Sequence, residues 1–301
     1  MSFLVLIHGR DSSKESFASV VSALATRLPR LTIAAIDLPG HGTDVLSTDA
    51  ASAIYATEEL LVQAIDERIK AALPELGAAD RLILLGHSMG ARAAVLFAKM
   101  RPLRVSTLIV EDMDMRARAP MKWTPNEIAS FASQFFNTWS DLACELRRFG
   151  YDDAWLERKR GGLIQHVETS EIDRLPLPFL RSGDNAAPPT GATAAGGSMF
   201  FVGTNPHVTA LAHDRLLLTD DHDALEALVS GGVALHVILA SRGSACAASE
   251  RDFFLRLAKS VQIVPNSNHS VHAAALVEFL DALCSVLSVA VLQLPSTSNE
   301  A

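Results

Sequence analysis

Residues 84–94 read LLGHSMGARAA. Apolar residues run up to Gly86, then a histidine, a serine and two glycines fall within five positions, and a run of small residues follows. Gly86-His87-Ser88-Met89-Gly90 spells G-x-S-x-G. Such a run predicts a buried strand, a sharp turn with Ser88 at its tip, and a helix beginning just after it. The glycines two residues before and after the serine leave room for that helix to pass close to the strand. The hydroxyl then stands at the positive N-terminus of the helix. The backbone N–H of Met89 points at the same place, where it can help to bind an oxyanion. Strand, turn and helix in that order make Ser88 a candidate nucleophile.

The chain around this stretch alternates in the same way. Strand-like stretches at 3–9, 31–42 (ending in a Pro/Gly turn), 81–90, 105–112, 233–241 and 260–269 are separated by segments with helical periodicity, among them 15–28, 56–73 and 91–100. Strands without polar alternation, each followed by a helix, predict an α/β fold with a mostly parallel sheet covered on both faces. Between Asp112 and about Thr219 the pattern breaks. Trp123, Phe131, Phe135, Phe136, Trp139, Tyr151 and Trp155 collect there, and SGDNAAPPTGATAAGGS follows at 182–198. The expected organisation is a core formed by 1–112 and 220–301. A helical cap or lid is expected at 113–219, with a flexible loop at 182–198.

Composition narrows the partners. Among 301 residues, 49% are hydrophobic and 20% charged, and the net charge is −8. A net-acidic surface does not attract nucleic acid or an anionic membrane. Three scattered cysteines, Cys144, Cys246 and Cys284, form no CxxC pair, which fits a reducing, cytoplasmic compartment and no disulfide framework. The most apolar late stretch, 276–294, carries Glu278 and Asp281 and reads as a buried helix rather than a stable membrane span. LTDDHDALEAL (218–228) places Asp220, Asp221, His222 and Asp223 together. Acids in the first turn of a helix, with Asp as N-cap, explain that cluster better than a metal site. No metal and no cofactor is expected.

A serine needs a base. The loop after the last strand, VPNSNHSVH, offers His269 in a polar setting and His272 at the start of a helix. His269 is the candidate base, and His272 reads as a capping or surface residue.

Taken together, these stretches resemble the α/β-hydrolase fold superfamily, of the lipase, esterase and carbon–carbon hydrolase type with a cap. LVLIHGRDSS resembles its HG loop, which implies that the N–H of Arg10 joins that of Met89 in an oxyanion hole. IDLPGHGTD resembles its DxxGxGxS loop, with Asp44 where a serine is common. GHSMGARAA resembles its nucleophile elbow. PNSNHSVH resembles its histidine loop, with Asn268 in place of the usual glycine. The resemblance covers residues 3–112 and 226–290, and the order Ser then His agrees.

Two departures stand out. The family usually opens with a strand hairpin, whereas this sequence starts at Met1 on the HG strand; the hairpin is absent or the chain is a shortened version. The acid that orients the histidine normally follows the strand at 233–241, but RGSACAASE holds none where it is needed. Asp252 lies inside the next helix. Some relatives, certain dehalogenases among them, take the acid from the end of the preceding strand, where Glu111 and Asp112 stand here. Glu111 is the preferred of the two, and the alternatives are no acid at all or one elsewhere in the chain.

The resulting expectation is a serine hydrolase that cleaves an ester, thioester or related acyl bond of a small molecule through an acyl-enzyme. The alternatives are a carbon–carbon bond hydrolase or lyase on the same fold, or a catalytically silent hydrolase-like binding protein.

Overall fold

The computed structural model describes residues 2–10, 12–42, 46, 48–119, 138–148, 153, 164–168, 198–202 and 206–292. Six strands form one sheet: β1 (Ser2–Ile7), β2 (Leu31–Ile36), β3 (Leu82–His87), β4 (Val105–Glu111), β7 (Ala234–Ala240) and β8 (Ser260–Val264). Their spatial order is β2-β1-β3-β4-β7-β8, and every pairing is parallel. The strand-like stretches read from the sequence correspond to these strands. β5 (Ile164–Glu168) and β6 (Ser198–Val202), between β4 and β7 in the chain, form a separate antiparallel pair.

The helices are α1 (Ala18–Arg27), α2 (Thr48–Tyr55), α3 (Glu58–Ala72), α4 (Met89–Met100), α5 (Trp139–Arg148), α6 (Pro206–Leu217), α7 (His222–Ser230), α8 (Ala248–Leu257), α9 (Val271–Ala274) and α10 (Leu276–Leu292). Alternate strand residues divide between two apolar layers, as the two-residue period of a strand requires. Phe3, Val5, Ile7, Leu82, Leu84, Leu108 and Val110 pack with Leu61, Ile65, Phe97, Leu216 and Leu225, from α3, α4, α6 and α7. Leu4, Leu6, Ile83, Leu85, Ile109 and Ile238 pack on the other face with Val20, Leu24, Phe279, Leu283 and Leu287, from α1 and α10. The apolar stretch at 276–292 therefore serves the core. Among the described residues no helix is long and apolar enough to cross a membrane.

Two stretches behave differently from their sequence reading. α2 was not foreseen: it lies beyond the loop read after β2, which ends at Asp44, in a stretch with no expected element. Of the flexible loop expected at 182–198, residues 182–197 lie outside the described residues, and Ser198 opens β6. Trp123, Phe131, Phe135, Phe136, Tyr151 and Trp155 and the loop position Asp44 also lie outside them, while Trp139 begins α5.

The chain just after β4 is tied to the chain around the end of α6 and the start of α7. Arg118 N–H donates to Leu217 O at 2.6 Å, and Asp221 N–H donates to Met115 O at 2.8 Å. Arg92, fully buried on α4, holds both stretches. Its guanidinium donates to the carbonyls of Leu216, Asp114, Arg116 and Thr219 and pairs with Asp221 at 2.9 Å. A buried arginine is tolerated because its fork is matched by oxygen acceptors.

The turn between β3 and α4 is built by close approach. A Cβ on Gly90 would lie 2.3 Å from Ile7 O and 2.4 Å from His8 O, and one on Gly86 would lie 2.3 Å from Gly90 O. These contacts involve main chain, which cannot rotate away. Gly90→Ala is therefore expected to destabilise the fold by at least about 3 kcal/mol. Chemical denaturation would show it as a large drop in the midpoint, and a midpoint near that of the unmodified protein would contradict the packing.

Candidate active site

The β3–α4 turn puts Ser88 in a strained backbone conformation, φ 51° and ψ −124°. A non-glycine residue there costs of order 1–3 kcal/mol and persists only where its surroundings over-determine it. The surroundings do so here: Ser88 N–H donates to Glu111 O at 3.0 Å, and Ala91 N–H to Ser88 O at 2.9 Å.

His269 comes from the loop after β8. Its Nε2 lies 3.0 Å from Ser88 Oγ, and its Nδ1 lies 2.8 Å from Asp112 Oδ2. The imidazole is more than a third exposed, whereas the Asp112 side chain is buried. Of the two carboxylates at the end of β4, Asp112 meets His269 and the preferred Glu111 does not. The reason is backbone geometry. Glu111 is the last residue of the strand. Asp112 steps out of it at φ 48°, although its N–H still donates to Ile238 O at 2.9 Å. Glu111, still in the strand, faces the same way as Ile109, whereas Asp112, at positive φ, has left that alternation. Glu111 turns to His272 instead, accepting from its N–H at 2.9 Å and its Nδ1–H at 2.7 Å. His272 is buried, not a surface residue.

The loop after β7, where the family's acid is usual, supplies donors instead of a carboxylate. Ala240 N–H donates to Asp112 Oδ1 at 2.9 Å, Ser244 Oγ–H to the same oxygen at 2.5 Å, and Ala245 N–H to Oδ2 at 2.9 Å. Burial acts to raise the Asp112 pKa, but the bonds from His269, Ser244, Ala240 and Ala245 outweigh it and hold the carboxyl below its ordinary range. Asp252 is exposed on α8, away from this arrangement.

The HG loop lies against the turn: a Cβ on Gly9 would come 3.0 Å from Ser88 Cβ. His8 is fully buried and neutral, its pKa pushed down to about 3, first by burial and then by neighbouring His41. Its Nε2 accepts Leu38 N–H at 3.0 Å, so its proton is on Nδ1, which donates to Gly9 O at 2.7 Å. A trans peptide points its C=O and N–H in opposite directions. Fixing the Gly9 carbonyl therefore also fixes the Arg10 N–H. Asp37, at the end of β2, accepts Lys14 N–H at 2.7 Å and secures the far end of this loop. Met89 is buried at the first position of α4.

The DDHD stretch is structural, with different partners from those expected. Asp221 occupies the N-cap position of α7 but makes no capping bond with its side chain, which pairs with Arg92. Asp220 accepts His222 N–H at 3.1 Å and faces its Nδ1 at 2.6 Å. His222 Nε2 lies 3.0 Å from Glu250, which is fully buried on α8 and also accepts Met115 N–H at 2.9 Å. Sequence reading missed Glu250 and Arg92, since charged residues on helices ordinarily face water.

The Alpha/beta hydrolase family model matches residues 4–282. The chain belongs to the alpha/beta hydrolase family. It is 32% identical over 122 residues to sn-1-specific diacylglycerol lipase ABHD11 of Mus musculus, a match covering 40% of this chain and 34% of that protein. In structure it resembles a thermophilic esterase from Thermogutta terrifontis (TM-score 0.60, 17% identity, 96% of this chain and 90% of that one). It equally resembles the enol-lactonase from Burkholderia xenovorans (TM-score 0.60, 17% identity, 95% of this chain and 91% of that one). At such identity the likeness to the two solved structures is one of fold.

Proposed function

We propose that this protein is a serine hydrolase that cleaves an ester, thioester or related acyl bond through an acyl-enzyme. The observation that carries the reading is the continuous line from Ser88 Oγ to His269 Nε2 at 3.0 Å and from His269 Nδ1 to Asp112 at 2.8 Å. In the proposed cycle His269 takes the Ser88 proton as Oγ attacks the acyl carbon, and returns it to the leaving alcohol or thiol. Asp112 holds the tautomer whose free nitrogen faces the serine and stabilises the imidazolium. The N–H groups of Met89 and Arg10 bind the oxyanion. Water then repeats the sequence on the acyl-enzyme and frees Ser88.

The partial likeness to a diacylglycerol lipase supports acyl chemistry. A silent binding protein has no need of a buried carboxylate fed by three further donors and aimed at His269. The reading is tested by labelling with a fluorophosphonate, followed by a panel of p-nitrophenyl esters of rising chain length. Ser88 is expected to carry the label and at least one ester to turn over. An unlabelled protein inert on every ester would sink the proposal.

A further inference from the structure

Behind the line of Ser88, His269 and Asp112 lies a second trio that tracks it in the chain. His87 precedes Ser88, Glu111 precedes Asp112, and His272 follows His269 by three positions. All three are buried, Glu111 completely. His87 Nε2 lies 2.9 Å from the main-chain carbonyl of His269; a carbonyl only accepts, so His87 carries its proton there. The His87 ring sits 4.9 Å from that of His269 and 5.0 Å from that of His272. Glu111 Oε1 takes both donors of His272 and so anchors the first turn of α9, directly after the base. Phe17, at 4.4 Å, and Phe279, at 6.1 Å, pack against the His272 ring. Glu111 Oε2 is buried with no hydrogen-bond partner among the described residues.

A carboxylate in that position is costly unless its charge is compensated. The charged and titratable groups facing it are His272 from α9 and His87 from β3; His269 is faced in turn by Asp112 and His87. Burial holds His87 neutral, with its pKa pushed down to about 3. One possible ligand atom from each of His87, Glu111 and His272 lies within 4.8 Å of the others, a spacing that would also admit a metal ion. Hydrogen bonds already engage His87 Nε2, Glu111 Oε1 and His272 Nδ1, and the trio is read as a bonded unit on that ground.

We propose that His87, Glu111 and His272 are positioning residues for His269: His87 fixes its main chain, and the Glu111 carboxylate favours the imidazolium formed when Ser88 gives up its proton. This rests on the reading of Ser88 as the nucleophile. Asp112 orients the ring directly, while the trio sets the backbone that carries it and adds a second negative charge behind it.

The test is the rate of fluorophosphonate labelling at Ser88 as a function of pH, which needs no knowledge of the substrate. Glu111→Gln removes the charge and keeps the shape. It should label about tenfold more slowly at neutral pH, and the acidic limb of its profile should move to lower pH by roughly one unit. The sign follows from the charge: without Glu111 the imidazolium is less favoured, so the neutral, reactive imidazole persists further into acid. His87→Phe removes the donor and keeps a ring; it should slow labelling about tenfold without moving the limb. His87→Gln, which keeps a donor, should recover most of the rate.

An unmoved limb in folded Glu111→Gln overturns the electrostatic role. His87→Phe labelling at the unmodified rate overturns the positioning role, and this pair decides the matter even if Glu111→Gln does not fold. Loss of labelling on chelation, restored by zinc, would overturn the proposal by making the trio a ligand set. A wild-type protein that does not label at Ser88 overturns the nucleophile reading and this one with it. Normal wild-type labelling with unaltered variants overturns this one alone.

Discussion

Ser88→Ala is expected to lower ester turnover by on the order of a millionfold while the protein stays folded. The size follows from what the hydroxyl does in the proposed cycle. Without Oγ no acyl-enzyme forms, and water must attack the substrate directly, aided only by binding and the oxyanion donors. Folding should be indifferent because the elbow is held by main-chain bonds, Ser88 N–H to Glu111 O and Ala91 N–H to Ser88 O, neither of which uses the side chain. A second substitution separates chemistry from strain. Ser88→Gly should be equally inactive but more stable than Ser88→Ala, since glycine adopts φ 51° without the penalty that any Cβ brings. Turnover above a few per cent of wild type in either variant would exclude Ser88 as nucleophile. The measurement is initial-rate hydrolysis of the best p-nitrophenyl ester, with circular dichroism melts of the three proteins.

Much of the fold is legible because two periods coincide. β1 and β7 are each apolar at all but one position, and only a strand buried on both faces needs that. The elbow is legible because its geometry demands glycine at two positions and a small run after it. What sequence does not disclose is which way a side chain turns at an element's end. Glu111 and Asp112 are adjacent acids, and their assignment depends on one backbone angle, the positive φ of Asp112. His269 and His272 pose the same difficulty: both follow β8, and one faces the serine while the other is sealed behind it. Glu250 and Arg92 were hidden for a further reason. Their burial is compensated by partners far away in the chain, Met115 and His222 for one, Leu216 and Asp221 for the other. Local periodicity carries no trace of such pairings.

Asp112→Asn should reduce turnover by roughly ten-thousandfold with Ser88 and His269 in place, by analogy with the loss of the orienting acid in other triads. Asparagine nearly matches aspartate in shape, so the effect is one of protons and charge. In the protein as it stands, Asp112 accepts from four donors: His269 Nδ1–H, the N–H groups of Ala240 and Ala245, and Ser244 Oγ–H. An asparagine can offer one oxygen to these, while its amide nitrogen brings two new hydrogens among groups that are themselves donors. The amide is therefore expected to place its nitrogen toward His269, accept no proton from Nδ1, and favour the tautomer with the proton on Nε2. That proton points at Ser88 Oγ and leaves the serine without a base. Asp112 also differs from Glu111 in its expected reach. Glu111→Gln should cost about tenfold, because it acts through the backbone and field around His269 rather than on Nδ1 itself. Stability should follow the sign of the Asp112 pKa. A carboxyl held below its ordinary range stabilises the fold above its unfolded pKa, and that contribution is lost as the pH falls through the folded value. The asparagine variant should therefore be less stable than wild type at neutral pH, and the gap should narrow in acid. Urea midpoints of the two proteins at neutral and acidic pH, alongside ester turnover, test both halves. If Asp112→Asn hydrolyses esters at a rate near that of the unmodified protein, the carboxylate is not the orienting acid and His269 works without one.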